Sequence, residues 1–347
     1  MKRGWLGLTL AVAMVGMVGC SAAGSATGAA GGAGKMAIVY NNSDEWASFG
    51  TIRQAFKEKT GIEVPNDNKN SGQSVTAMIA EKDSPIADAV YYGIVFGSQA
   101  VEKDLVEGYK PPHFDEIPAA LKDPDGKWMT VHYGAISFIV NKQALGSTPA
   151  PQSWADLLKP EYKGKVGFLD PSSAAVGYSV TVAANLAMGG DLDNWNPGID
   201  YLKKLEANGV IHPKGTANAK VMKGEIPIII DADFNGYKMK YEENGPIDVV
   251  IPKEGSLKLP YAMSIIKNAP HKEAGQQYLD FLLSDEGQQM FAKGFVRPIR
   301  NVQIPGEVES KFLPAADYER VRDVDFAKMN QVQNAFIERW KSEVLAN

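Results

Sequence analysis

Lys127-Trp128-Met129-Thr130-Val131-His132-Tyr133-Gly134-Ala135-Ile136-Ser137-Phe138-Ile139-Val140-Asn141 decides how the chain is organised. Trp128, Met129, Val131, Tyr133, Ala135, Ile136, Phe138, Ile139 and Val140 make it one long extended segment. An ordinary strand has about 5–6 residues, so this one is expected to leave one domain and enter the next. Tyr261 to Ile266 is a second apolar run, placed to cross back.

Before the first crossing, the pattern alternates. Met36 to Tyr40 reads as a buried strand, and Trp46 to Lys59 is helical through Phe49, Ile52 and Phe56. Thr60-Gly61 ends that helix, Ile62-Glu63-Val64 starts a second strand, and Asn66 to Asn70 is a polar loop. A helix is expected over Val75 to Glu81 and a third strand over Ala87-Asp88-Ala89-Val90-Tyr91-Tyr92. Strand, helix, strand, helix, strand predicts βαβ units and a parallel sheet covered on both faces. Beyond the crossing, Lys165 to Leu169, Ile226 to Ile230 and Ile247 to Ile251 read as strands, and His271 to Lys293 as helix with a cap at Ser284. Tyr318 to Leu345 reads as a long amphipathic helix or pair of helices.

The N-terminus has a different character. Lys2 and Arg3 precede an apolar run, Trp5 to Val18, too short and glycine-broken for a membrane span of roughly 20 residues. Gly19-Cys20 follows, and Cys20 is the only cysteine of 347 residues, so no internal disulfide is open to it. The stretch resembles a bacterial lipoprotein cleavage box, with Met17 where leucine is more usual. It predicts lipidation at Cys20, a signal over 1–20 and a Gly/Ala/Ser tether over 21–35. The expected location is an exported protein lipid-anchored at the cell membrane, periplasmic or on the outer cell surface. Without Lys2 and Arg3, 34 basic residues face 41 acidic ones, a net charge of −7. An acidic body without a basic run excludes nucleic acid as a partner, because phosphate neutralisation dominates that binding.

Catalytic motifs are missing: no phosphate loop, no His-Glu-x-x-His, no Cys-x-x-Cys and no Gly-x-Ser-x-Gly elbow. The four histidines, His113, His132, His212 and His271, lie far apart in sequence. The reading is of a binding protein with no catalytic residue, cofactor or metal. A surface hydrolase or a sensor module is the alternative from another class.

Several stretches together carry a resemblance. They are Phe56-Lys57-Glu58-Lys59-Thr60-Gly61-Ile62, Ala87-Asp88-Ala89-Val90, Ile251-Pro252-Lys253-Glu254-Gly255, Tyr261 to Ala269, Tyr278 to Ser284 and Phe295-Val296-Arg297-Pro298-Ile299-Arg300. In order and spacing the chain resembles the solute-binding proteins of bacterial ABC importers, in the group that binds ferric iron, polyamines, phosphonates and sugar phosphates. The resemblance implies an α/β fold of type 2, two lobes joined by two crossover strands and closing on a ligand. It places the first part of lobe 1 at 36–132, lobe 2 at 133–258, and the return crossover, the rest of lobe 1 and the C-terminal helices at 259–347. It also implies an ABC permease and a small molecule as partners of a monomeric receptor.

Ligands of such sheets sit beyond the carboxyl ends of strands, where helix N-termini point. Four places fit: the loop with Asn42 and Ser43, the helix start with Ser71, Gln73 and Ser74, the turn with Ser172 and Ser173, and Asp231-Ala232-Asp233-Phe234-Asn235. The serine-bearing helix starts favour an anion, although plain capping accounts for either one alone. Asp231, Asp233 and Asn235 would take amine or hydroxyl donors, or lie in a solvated turn. Tyr91 and Tyr261 would stack on a ligand or pack in the core. No arginine occurs between Arg53 and Arg297, so the second lobe offers no guanidinium clamp. The paired tyrosines of ferric-iron relatives are absent where Phe234 stands, and the acid that polyamine relatives carry on the return crossover is missing from Leu259-Pro260-Tyr261-Ala262. A phosphonate or sugar-phosphate-like anion is therefore the expected ligand, ahead of a polyamine or ferric iron.

Overall fold

In the first sheet, β1 (Val39–Asn41), β2 (Asp67–Asn68) and β3 (Ala89–Gly93) lie parallel in the order β2-β1-β3. The computed structural model of this chain describes residues 36–41 and 43–346. Cys20, the expected signal and tether, and Asn42 lie outside the described residues. The helix Phe49–Thr60 connects β1 to β2 and buries Phe49, Ile52 and Phe56 completely. It stops at Gly61, whose φ of 73° suits a residue without a β-carbon and lets its N–H donate to the Lys57 carbonyl. The helix Ser71–Ala80 connects β2 to β3.

The long segment is a single strand, β5 (Met129–Asn141), thirteen residues with twelve buried. Its first half pairs antiparallel with β9 (Ser256–Ile266) through Ala135↔Lys258. From Ile136 onward it pairs instead with β7 (Ile228–Ala232) and β8 (Ile247–Val250). One strand therefore belongs to both sheets, and β9 returns the chain, pairing with β3 from Tyr261 to Ile265. β6 (Val166–Gly167) lies parallel to β7 and closes the second sheet. Short edges complete the frame: β4 (Val106–Glu107) and β11 (Val321–Arg322) on β9, and β10 (Arg297–Pro298) on β5. The Val/Ile/Leu-rich second sheet, with Ile228, Ile230, Phe138 and Val140 wholly buried, is the hydrophobic floor of the second lobe.

Three local expectations are corrected. Ile62 to Val64 forms only an isolated bridge, Met36↔Glu63, and the ladder instead uses Asp67–Asn68 inside the stretch read as a loop. The second helix starts at Ser71, four residues before Val75, because Gln73 and Asn70 close a capping box that makes Ser71 to Ser74 its first turn. The tail is not helical from Tyr318. β11 intervenes, and the helix Phe326–Arg339 begins behind the Asp325 cap, whose carboxylate accepts from Lys328 N–H. Among the described residues, no helix is long and apolar enough to cross a membrane.

Candidate interlobe binding site

The two crossover strands present two different faces. His132 pairs with Tyr261, Tyr133 with both Pro260 and Arg297, and Ala135 with Lys258. Directly opposed residues project to the same side and successive residues to opposite sides. His132 and Tyr261 thus share a front face, and Tyr133, Lys258 and Arg297 share the back.

The front face carries an aromatic cluster. Tyr261 stacks on Tyr91 at 5.0 Å and 13°, and on His132 at 5.7 Å and 20°. Trp46 meets Tyr261 edge-on at 5.3 Å and, from across the cleft, Phe234 at 5.0 Å and 85°. Trp46 is delivered by a 3-10 turn in which Ala47 and Ser48 take left-handed φ of 50° and 59°. Its indole N–H donates to the Tyr91 hydroxyl at 2.8 Å, and that hydroxyl lies 2.7 Å from His132 Nε2. The Tyr91 hydroxyl thus bridges Trp46 and His132, and the other ring nitrogen of His132, Nδ1, has no partner among the described residues. Burial depresses the His132 pKa to about 3 and keeps the ring uncharged.

Helix starts from both lobes close over this cluster. Ser71 and Gly72, in the first turn of Ser71–Ala80, face the start of Ala175–Ala187: Gly72 N–H donates to the Ser173 carbonyl at 3.3 Å. A β-carbon at Gly93 would sit 2.3 Å from that of Ala175. Asn70 Nδ2 donates to the Lys214 carbonyl and Lys238 Nζ to the Glu45 carbonyl, so the rim is bridged as well. Ser71, Trp46, Ala175, Thr216 and Tyr261 line what remains between the lobes, a cavity just large enough for one water molecule.

Asp231 lies at the end of β7, buried, with its charge acting on Tyr261. Burial raises its pKa to about 7, against the hydrogen bond from Ala232 N–H at 2.6 Å and the nearby Asn235 amide. No basic side chain pairs with it among the described residues. Asp233 has the opposite situation. Its Oδ1 accepts from Ala135 N–H at 2.9 Å, and its Oδ2 from Arg297 Nη1 at 2.5 Å and from the Tyr318 hydroxyl at 3.0 Å. The nearby carboxylate helps burial push the Tyr237 phenol up to about 12. Two carboxylates two residues apart thus differ because β7 ends between them: one stays on the strand, and the other begins the helix Asp233–Tyr241 and turns to Arg297.

Ser71, Tyr91, Tyr261 and Asp231 are brought together by the fold. Ser71 Oγ accepts from Gly93 N–H at 3.0 Å, which ties the helix start to the end of β3. Ser43 and Ser74 have buried hydroxyls without a partner among the described residues. Gln73 Oε1 is used within its own cap, accepting from Asn70 N–H at 2.8 Å. Ser172 folds onto Asp170 at 2.6 Å, and Ser173 supplies its carbonyl to the rim while its hydroxyl turns back to the Asp170 carbonyl. Asn235 faces Asp231. The sequence reading missed Trp46, Phe234 and His132 as members of the cluster. Trp46 was legible as a large aromatic just after a strand-end loop, a position where a core residue is unusual.

The model of one protein family, described as bacterial extracellular solute-binding protein, matches residues 84–332. Over 270 residues the chain is 28% identical to a putative 2-aminoethylphosphonate-binding periplasmic protein of Salmonella typhimurium, covering 76% of this chain and 77% of the relative. It is 26% identical over 278 residues to the spermidine/putrescine-binding periplasmic protein of Escherichia coli, covering 76% and 78%. Among solved structures, the periplasmic binding protein AfuA of Actinobacillus pleuropneumoniae, with fructose-6-phosphate bound, matches with a TM-score of 0.78 at 24% identity, covering 90% of this chain and all of that one.

Proposed function

The chain belongs to the bacterial extracellular solute-binding protein family, and from that premise we propose that it captures a small solute with a phosphonate or phosphate group at one end and an amine or hydroxyl at the other. The family consists of solute-binding proteins of ABC transporters with the type 2 periplasmic-binding fold, and they are binders, not enzymes. The observation that carries the ligand reading is the convergence of two unlike groups on Tyr261. A helix start lies at Ser71, its Gly72 N–H held by the Ser173 carbonyl of the other lobe until a ligand displaces it, and a buried carboxylate without a cation lies at Asp231. Helix N-termini favour anions, and an unpaired buried carboxylate is costly until a cation or donor reaches it. Ser71, Ser74 and the facing turn at Ser173 would hold the acid, and Asp231 would take the ammonium. Tyr261 and Trp46 would cover the carbon chain between them. The ligand enters by parting the lobes, and its contacts to both favour their closure.

The similarity to a putative 2-aminoethylphosphonate-binding protein supports a ligand with both ends. The aromatic cluster around Asp231 supports a second reading, a polyamine, in line with the spermidine/putrescine-binding relative. Isothermal titration with 2-aminoethylphosphonate, ethylphosphonate, ethylamine and spermidine separates them. The proposal expects 2-aminoethylphosphonate to bind at least tenfold tighter than either single-ended compound. Spermidine binding without phosphonate binding would overturn it in favour of the polyamine.

We further propose that Cys20 is acylated and that 21–35 tethers the receptor beside its permease. Cys20→Ala is expected to move the protein from the membrane fraction to the soluble fraction on cell lysis; retention of the variant in the membrane would sink the anchor.

A further inference from the structure

Behind the crossover strands lies a groove of about 750 Å³, within the range of small-molecule sites. Tyr133, Lys258 and Arg297, the residues that register places on the back face, line one end of it. Leu121, Ile304 and Leu313 line the apolar remainder. None of the residues that line the front cavity reaches it.

Arg297 is the unusual member. Its side chain is only 16% exposed, and its guanidinium lies 4.0 Å from the centre of the Tyr318 ring and 4.7 Å from that of Phe312. Asp233 engages Nη1 alone. Nε and Nη2 make no hydrogen bond to the described residues, so half of a rigid planar fork is left over in a mostly buried setting. Lys258 Nζ is engaged by Asp323, whose side chain is 62% exposed, a pair that water screens strongly and that yields readily. Arg300 also lines the groove, but its Nε is held by Glu116 and its Nη1 by Asp285 and the Leu283 carbonyl. Glu309 is the one acid among the lining residues.

We propose that this back groove is a second binding site, taking an amphipathic monocarboxylate whose head group is gripped by Arg297 and Lys258 and whose chain lies along Leu121, Ile304 and Leu313. The Nε–Nη2 edge of a guanidinium matches the two oxygens of a carboxylate, and the apolar end of the groove rewards a hydrocarbon tail. The site also touches the interlobe cleft. Arg297 holds Asp233, and the next residue, Phe234, packs on Trp46. A carboxylate on the free edge shares the guanidinium that positions the second lobe's helix start.

Octanoate is the probe, with octanol as the control that keeps the tail and loses the charge. Titration of the full chain is expected to show one saturable octanoate site with octanol at least tenfold weaker. Ile304→Glu, a half-buried groove residue with no hydrogen-bonding role, should abolish octanoate binding while leaving the melting transition in place. Lys258→Gln should weaken it several-fold. Arg297→Lys should do so too if it folds, although it loosens Asp233. Equal binding of octanol, no saturation with octanoate at millimolar concentration, or undiminished binding by Ile304→Glu would each overturn the proposal.

Discussion

Gly93 of the first lobe and Ala175 of the second meet so closely that a β-carbon on Gly93 would lie 2.3 Å from the Ala175 β-carbon. The Gly93 backbone, at φ −62° and ψ 145°, suits any residue. The cleft, not the turn, requires the glycine. Gly93→Ala is therefore a probe of closure alone. Overpacking of this kind costs about 1–3 kcal/mol, and it falls on the closed state only. The variant should fold with an unchanged melting transition, bind its solute roughly five- to a hundredfold more weakly, and show a larger radius of gyration in small-angle scattering with ligand present.

Asp231 and Asp233 should respond oppositely to amidation. Asp233→Asn leaves Arg297 buried without its counter-ion, and breaking such a pair costs about 3–5 kcal/mol; chemical denaturation should show this loss with or without ligand. Asp231→Asn removes a buried charge that has no cation beside it, so it should not destabilise the ligand-free protein at neutral pH. It should weaken binding of an amine-bearing solute at least tenfold.

The pH dependence of Asp231 has a definite sign. Its pKa rises from 3.8 to about 7 on folding, so between those values the native state holds a proton that the unfolded chain has lost. That contribution to stability is complete below pH 3.8 and is lost as pH climbs to 7. Relative to the wild type, Asp231→Asn should gain stability with rising pH across this window, by roughly 4 kcal/mol at most, and show no further gain above it. Binding of an ammonium to the carboxylate should strengthen over the same window and release a proton, which calorimetry in buffers of different ionisation enthalpy will register.

His132 works in the other direction. Its pKa falls from 6.5 to about 3, so its contribution is present above 6.5 and is lost as pH drops toward 3. Between 3.8 and 6.5 the two buried groups nearly cancel in the wild type. His132→Phe should lift the acid loss and expose the Asp231 trend, at a constant cost of about 1 kcal/mol for the missing Tyr91 hydrogen bond. Urea melts at closely spaced pH values will check this.

The frame was legible because β5 is too long for one sheet and only Ser137 interrupts its apolar run between Ala135 and Val140. Asp231 was legible as a carboxylate after an apolar strand and Tyr261 as an aromatic on the return crossover. What stayed hidden depends on contacts distant in sequence. Asp233 pairs with Arg297 across sixty-four positions, so nothing local distinguishes it from Asp231. His132 reads as one more residue of a strand until Tyr91 and Tyr261, stacked on each other, are seen packed against it. Gln73 was equally compatible with a cap and a ligand contact, and only the hydrogen bond from Asn70 shows where its side chain goes.

The pairing of β5 with β9 slips between Thr130 and His132. Such an irregularity inserts an extra residue into one strand and shifts the rest of the ladder by one position. Here the extra residue is Val131, which has no partner on β9 while Thr130 faces Ala262 and His132 faces Tyr261. A chain shortened by one residue at Val131 would keep His132 opposite Tyr261 and Tyr133 opposite Pro260, and would lose only the local bend and added twist of the strand. Receptors that differ at this single insertion would share a cleft floor yet send β5 into the second sheet at unlike angles, so the unpaired residue is a place where the attitude of the lobes can change without the ligand contacts being rebuilt.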